Sequence, residues 1–463
     1  MKAPKESDRM WTPPEWAEKR SVNDPVWISL KDREAGATGF LSLDILIDIA
    51  FQNNPNTRQA WLDSRAAYAV EKQNESTWYP QLTVSASTGH QRTYTNNKFN
   101  SINQRTDGVQ AKLKYLLLDF GGRASAVKEA KEMLLASNYQ FNQTFQDLIL
   151  DVESAYYGFY AALVKIDAAD ANVQDAEKSL EIAQQRFLAG LVTQLDVLQS
   201  ESNYTKALFN QEEARKDAFA AQGQLAKVIG VPAEAGIEIE PPLLEKPEVV
   251  VKKNVDTLIE EAMQQRPDIA AMKANLKAKE AALQSANSDL WPTLNISGTA
   301  FANEYRYFGS EKSDQFNAKD DYGYTAFISV DWNIFDGFYL YSVRNEAKEQ
   351  LKAEREKLKE AELEASADVW TKYYVLQAAE KQYNFSVDFL KSSEAAYELA
   401  MESYSAGLKD ILYVLKASAD LFQGRSNMAD AQEELFMAFA ELVHSMGTLY
   451  VKEYGPLGEK SEQ

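Results

Sequence analysis

Glu441-Leu-Val-His444 is the stretch whose spacing most resembles a metal site, because Glu-x-x-His places both side chains on one helix face. A helical di-iron centre needs two such pairs and two further glutamates, and the 463 residues hold a single pair. A structural histidine is the competing reading. Asp119-Phe120-Gly121 carries the letters of the kinase DFG segment, but no glycine-rich loop, VAIK lysine or HRD segment accompanies it. A strand-to-helix turn accounts for it without chemistry, the aspartate capping the following helix and the glycine relieving the bend. His90 has no nucleophile pattern near it, so a Ser-His-Asp site is unsupported. With no cysteine and two histidines, thiolate chemistry and disulfides are excluded and multi-histidine metal sites nearly so. The chain calls for no cofactor and reads as no enzyme.

Charge narrows the partners. Acidic residues number 69 and basic residues 49, a formal net charge of −20, whereas phosphate-backbone binding needs clustered Lys and Arg. Nucleic acid is therefore not expected. Runs such as Lys352 to Glu364 read as solvated helix faces with i,i+4 pairing. No run of 18 apolar residues exists, and MKAPKESDRMW lacks the apolar core of an export signal. Two readings stay open: a cytoplasmic protein, or the mature form of an exported one.

The elements that would position any site come from an internal duplication. Pro55 pairs with Pro267, and Trp78-Tyr79-Pro80 with Leu290-Trp291-Pro292, at an offset of 212. Asp119 then pairs with Asp336, Tyr156-Tyr157 with Tyr373-Tyr374, Gly190-Leu191 with Gly407-Leu408, and Gly230 with Gly447, at an offset of 217. The spacing divides the chain into an N-terminal segment (1–41), a first repeat (42–231), a connector (232–254), a second repeat (255–449) and a tail (450–463).

Each copy opens with a helical segment broken by its proline. The period then changes to two, giving strands expected near 81–92 and 108–118, and near 293–303 and 322–335. Leu82, Val84 and Ala86 alternate with Thr83, Ser85 and Ser87; Tyr322, Tyr324, Ala326, Ile328 and Val330 share a face on the last strand. Polar loops are expected over 94–107 and 303–321. Two amphipathic hairpins with aromatic ends suit a transmembrane β-barrel, although a soluble sandwich alternates in the same way. Four strands cannot close around a lumen, so several chains must each contribute, or the sheet packs on something else.

After each hairpin comes a helix of roughly 67 residues, about 100 Å at 1.5 Å per residue. Leu148, Val152, Ala155, Phe159 and Ala162 recur along it at i, i+3 and i+4. Each long helix stops at the repeated glycine, which takes the left-handed conformation that ends helices. A return helix follows, so GLVTQLDVLQS and GLKDILYVLKA are the tips of two helical hairpins.

LLLDFGGRASAV with its copy NIFDGFYLYSV, and RFLAGLVTQLDVLQSESNY with its copy SYSAGLKDILYVLKASAD, resemble the TolC-like outer-membrane efflux proteins over about residues 42 to 449. The resemblance implies a mostly α fold with a transmembrane β-barrel. It implies a homotrimer, with four strands per chain closing one 12-stranded barrel and the helices continuing as a periplasmic tunnel. It implies a passive exit duct in outer-membrane lipid, fed by an inner-membrane pump of RND, ABC or MFS type through a periplasmic adaptor, for efflux or type I secretion. The tips carry its expected sites: Gly190, Leu191, Thr193, Gly407 and Leu408 for adaptor docking, and Asp196, Tyr404 and Lys409 for the entrance gate. Tyr413 and Lys416 stand where some relatives carry acidic selectivity rings, which puts such a ring in doubt here. A periplasmic or surface coiled-coil scaffold is the alternative, and the amphipathic hairpins argue against it.

Overall fold

The computed structural model describes residues 40–94, 101–242, 254–307 and 319–449. Residues 1–39, residues 243–253 of the connector, the two strand-turn tips and the C-terminal tail lie outside the described residues. The elements follow the duplication. In the first copy, α1 (Leu43–Asn53) and α2 (Pro55–Glu75) lead to β1 (Gln81–Tyr94) and β2 (Ser101–Leu118), then α3 (Gly122–Leu188) and α4 (Gln194–Ile229). In the second, α5 (Val255–Gln265) and α6 (Pro267–Ser288) lead to β3 (Thr293–Tyr307) and β4 (Lys319–Asp331), then α7 (Tyr339–Ser405) and α8 (Ile411–Ser445). The helices α3 and α7 have 67 residues each.

Two compact units form, and each draws on both copies: residues 1–62, 138–271 and 360–463 in one, residues 63–137 and 272–359 in the other. The first unit holds the larger core. Leu46 and Ile47 of α1, Ile149 and Val152 of α3, and Leu225 and Ile229 of α4 are buried together. The i, i+3, i+4 stripe of α3 supplies the inward face, while its Tyr156 hydroxyl donates to the Glu240 carbonyl at 2.5 Å.

The second unit holds one antiparallel sheet in the order β1-β2-β3-β4. Its strands outrun the sequence expectation at their far ends: Ser101–Asp107, Asn303–Tyr307 and Lys319–Asp321 are strand, not loop. Cross-strand hydrogen bonds hold residues that carry no apolar alternation. At the other end β4 stops at Asp331, opposite Thr293, rather than near 335. The next pair would involve Pro292, which has no N–H for the ladder. Leu82, Val84, Tyr322, Tyr324, Ile328 and Val330 are all exposed on one face.

The turns from sheet to long helix bear out the capping expectation. Asp119 Oδ2 accepts from the Arg123 N–H at 2.6 Å, and Asp336 accepts from the N–H groups of Tyr339 and Leu340 at 3.0 Å each. Both turns place two consecutive residues in the left-handed region: Phe120 (φ 50°) and Gly121 (φ 97°), then Gly337 (φ 70°) and Phe338 (φ 68°). Phenylalanine is strained there, yet each copy keeps one, exposed beside another aromatic: Trp291 for Phe120 and Phe335 for Phe338.

Candidate functional site at the helical hairpin tips

Both tips belong to the first compact unit. The chain reverses through the same hydrogen bonds twice. Gly190 (φ 72°) donates to Phe187 O and Leu191 to Arg186 O; Gly407 (φ 79°) donates to Tyr404 O and Leu408 to Ser403 O, each at 2.9 Å. This satisfies the terminal carbonyls of the long helices. A Cβ at Gly190 would meet nothing within 4 Å, so its conformation, not crowding, selects glycine there. Leu188, Leu191, Leu195, Leu408 and Leu412 are exposed around the two turns, an apolar edge on the protein surface.

The return helices start differently. In the first copy Asp196 Oδ2 accepts from the Thr193 N–H at 2.7 Å and from Thr193 Oγ1 at 3.0 Å, a capping box. In the second, Asp410 is itself the N-cap and accepts from Leu412 N at 3.4 Å. The acid has moved from the third helical position to the cap, and Tyr413 occupies the vacated place.

The expected gate residues separate into two groups. Tyr404 is interior, 1% exposed, in a small core with Tyr397, Ile411, Val414 and Leu421, against which Ile182 and Val192 of the first copy pack. Arg186, which sequence reasoning missed, sets its guanidinium 4.6 Å from the Tyr404 ring centroid. The Tyr404 hydroxyl and two guanidinium nitrogens of Arg186 are buried with no hydrogen-bond partner among the described residues. Burial raises the Tyr404 phenol above its ordinary pKa, with the Asp196 and Asp410 carboxylates acting in the same direction and Arg186 against it. The other group lies outside: Lys409, Tyr413 and Lys416 are exposed, and Lys409 Nζ sits 4.7 Å over the Tyr413 ring. Within the chain Asp196 is thus engaged by Thr193, and Lys409 by Tyr413.

Side-chain links tie the two hairpins behind the tips. Asp175 pairs with Arg425 at 3.1 Å, and its carbonyl accepts from the Tyr397 hydroxyl at 3.3 Å. Glu441 and His444 turn to different partners, Lys372 at 2.7 Å and Asp147 at 2.8 Å, so they do not converge on one point.

An exposed apolar sheet face, an open four-stranded sheet and very long paired helices with reversing tips define a membrane channel component rather than a catalyst. The sequence pattern of the outer membrane efflux protein family matches residues 46–231 and 258–448, and the chain belongs to that family. It is similar to protein CyaE of Bordetella pertussis, 28% identical over 83% of this chain and 79% of the relative. It also resembles the outer membrane protein TolC of Escherichia coli K12, 24% identical over 86% of this chain and 80% of the relative. The solved structure of the outer-membrane channel OprN superposes with a TM-score of 0.77 at 20% identity, covering 88% of this chain and 90% of that one. The protein is an outer-membrane exit duct with its helical part in the periplasm, and is not an enzyme.

Proposed function

We propose that three copies join edge to edge into a 12-stranded barrel and conduct cargo passively from an inner-membrane pump and periplasmic adaptor to the outside. The carrying observation is the open sheet. β1 and β4 are its two edges, and the face they flank exposes Leu82, Val84, Tyr322, Tyr324, Ile328 and Val330. Edge strands with an apolar face are unstable in water, and closure with copies of the same chain in lipid satisfies both defects. The pump is of RND, ABC or MFS type, and the system serves efflux or type I secretion. The repeat limits, 42–231 and 255–449, are the working units of that duct.

The docking edge for the adaptor comprises Gly190, Leu191, Thr193, Gly407 and Leu408, where exposed leucines surround left-handed glycines. Asp196, Lys409, Tyr413 and Lys416 form the outer part of the entrance gate, and Tyr404 is its buried anchor. Both capping bonds of Asp196 use Oδ2, so Oδ1 is the oxygen offered to a neighbouring subunit's Lys409. Such exposed pairs contribute about 0.5 to 1 kcal/mol each, enough for threefold repetition to bias closure reversibly. Planar-bilayer recordings of Asp196→Ala and Lys409→Ala test this: higher single-channel conductance is expected, and unchanged conductance in both rejects the gate.

A further inference from the structure

The apolar face of the sheet ends in two sorted rows of charge. Strand register places Ala86, Val109, Ala302 and Tyr322 side by side across all four strands, the last apolar row before the strand tips. Two residues farther out, on the same face, Thr88, Asp107, Glu304 and Asp320 form an acidic row. Two residues beyond that, Arg105 stands directly opposite Arg306, with His90 on the other side of Arg105. Along β4 the apolar face runs from Val330 to Tyr322, a stretch about as long as the roughly 9 to 11 residues that a tilted strand needs to cross a bilayer. On the barrel proposed above, on which this inference rests, the opposite strand ends lead into the periplasmic helices and the charged rows lie at the outer leaflet's headgroups.

The sorting of charge needs a reason. Like charges facing each other across strands are destabilising, and alternating signs would pair every charge internally. Here acid faces acid, Asp107 opposite Glu304, and arginine faces arginine. Each arginine hydrogen-bonds the acid on its own strand, Arg105 Nε to Asp107 at 3.1 Å and Arg306 Nε to Glu304 at 2.8 Å, while Asp107 also attracts Arg306 from the neighbouring strand without a hydrogen bond. Both contacts use Nε, and the Nη nitrogens donate to no described residue. Two guanidinium forks side by side at headgroup depth, with their outer nitrogens uncommitted, match the oxygens of a phosphate, which would also remove the repulsion between them.

We propose that Arg105 and Arg306 form a phosphate-binding rung on the lipid-facing surface, holding phosphorylated headgroups of outer-leaflet lipid. The test is native mass spectrometry and phosphate analysis of the detergent-purified protein, comparing wild type, Arg105→Gln/Arg306→Gln and Arg105→Lys/Arg306→Lys. Each is also titrated with a phosphorylated lipid, its dephosphorylated counterpart and inorganic phosphate. Wild type should retain the phosphorylated lipid, the glutamine pair should bind it at least about tenfold more weakly, and the lysine pair should fall between. The dephosphorylated lipid should bind none of them well. Equal retention of phosphorylated lipid by wild type and the glutamine pair overturns the proposal. Inorganic phosphate binding as tightly as the lipid overturns the lipid assignment. If the glutamine pair fails to assemble, Arg306→Gln alone carries the same comparison. Conductance equal to wild type shows that the barrel is intact, so failure of the duct and failure of the rung read differently.

Discussion

Asp196 receives both the backbone N–H and the side-chain hydroxyl of Thr193 on one carboxylate oxygen, at 2.7 and 3.0 Å. The first-copy tip is therefore set by the residue offered as its latch. Thr193→Ala keeps the carboxylate but removes the hydroxyl, and should cost about 1 kcal/mol locally. Freed of one bond, Asp196 becomes more mobile. Hydrogen exchange of the first turn of α4 should quicken by about fivefold while global unfolding hardly moves; an unchanged exchange rate removes the cap from the account.

Arg186 over Tyr404 yields a pH prediction. Burial holds the phenol pKa above its usual value, so folding is favoured while the pH stays below the unfolded value of about 10. That contribution fades as pH rises through the folded pKa. Wild-type channels should therefore loosen at the tip above about pH 10, and Tyr404→Phe should lack that component. The comparison is conductance between pH 8 and 11, with identical profiles counting against a buried, titrating Tyr404. Arg186→Gln removes the cation that favours the phenolate, so its transition should lie at higher pH than wild type.

Asn54 and Arg266 are repeat equivalents that perform the same task with different strength. Asn54 Nδ2 donates to Val228 O at 2.9 Å, while Arg266 donates to Ser445 O at 2.9 Å and also binds Asp268 and Asp368. Asn54→Ala should cost about 1 kcal/mol and Arg266→Met about 2 to 3, because the latter strands two partly exposed carboxylates as well as a carbonyl. Thermal unfolding in detergent ranks them. Equal losses contradict the hub role of Arg266.

Much of this was readable from sequence where two signals coincided. The glycines of the tips sit at the end of long periodic stretches, and Asp119 and Asp336 stand where period two yields to period 3.6, so turn and cap were both legible. The Thr-x-x-Asp spacing of the capping box is also present at Thr193 and Asp196, where it competes with the gate role that the resemblance implies for the aspartate. The charged strand ends were misread as loops, because Arg105, Asp107, Glu304 and Arg306 give no apolar alternation and only cross-strand register reveals them as rungs. Arg186 looked like any arginine in a last helical turn. Its role depends on Tyr404, 218 positions away in the other copy, a proximity no local pattern carries.

The central claim is that this chain becomes a conducting pore only as a closed assembly in lipid, and a single preparation measures it: purification in detergent, mass determination, then insertion into a planar bilayer. Three chains of 52.1 kDa predict a protein mass of about 156 kDa and discrete single-channel steps. A monodisperse 52.1 kDa monomer, stable without detergent and giving no conductance, would contradict the account.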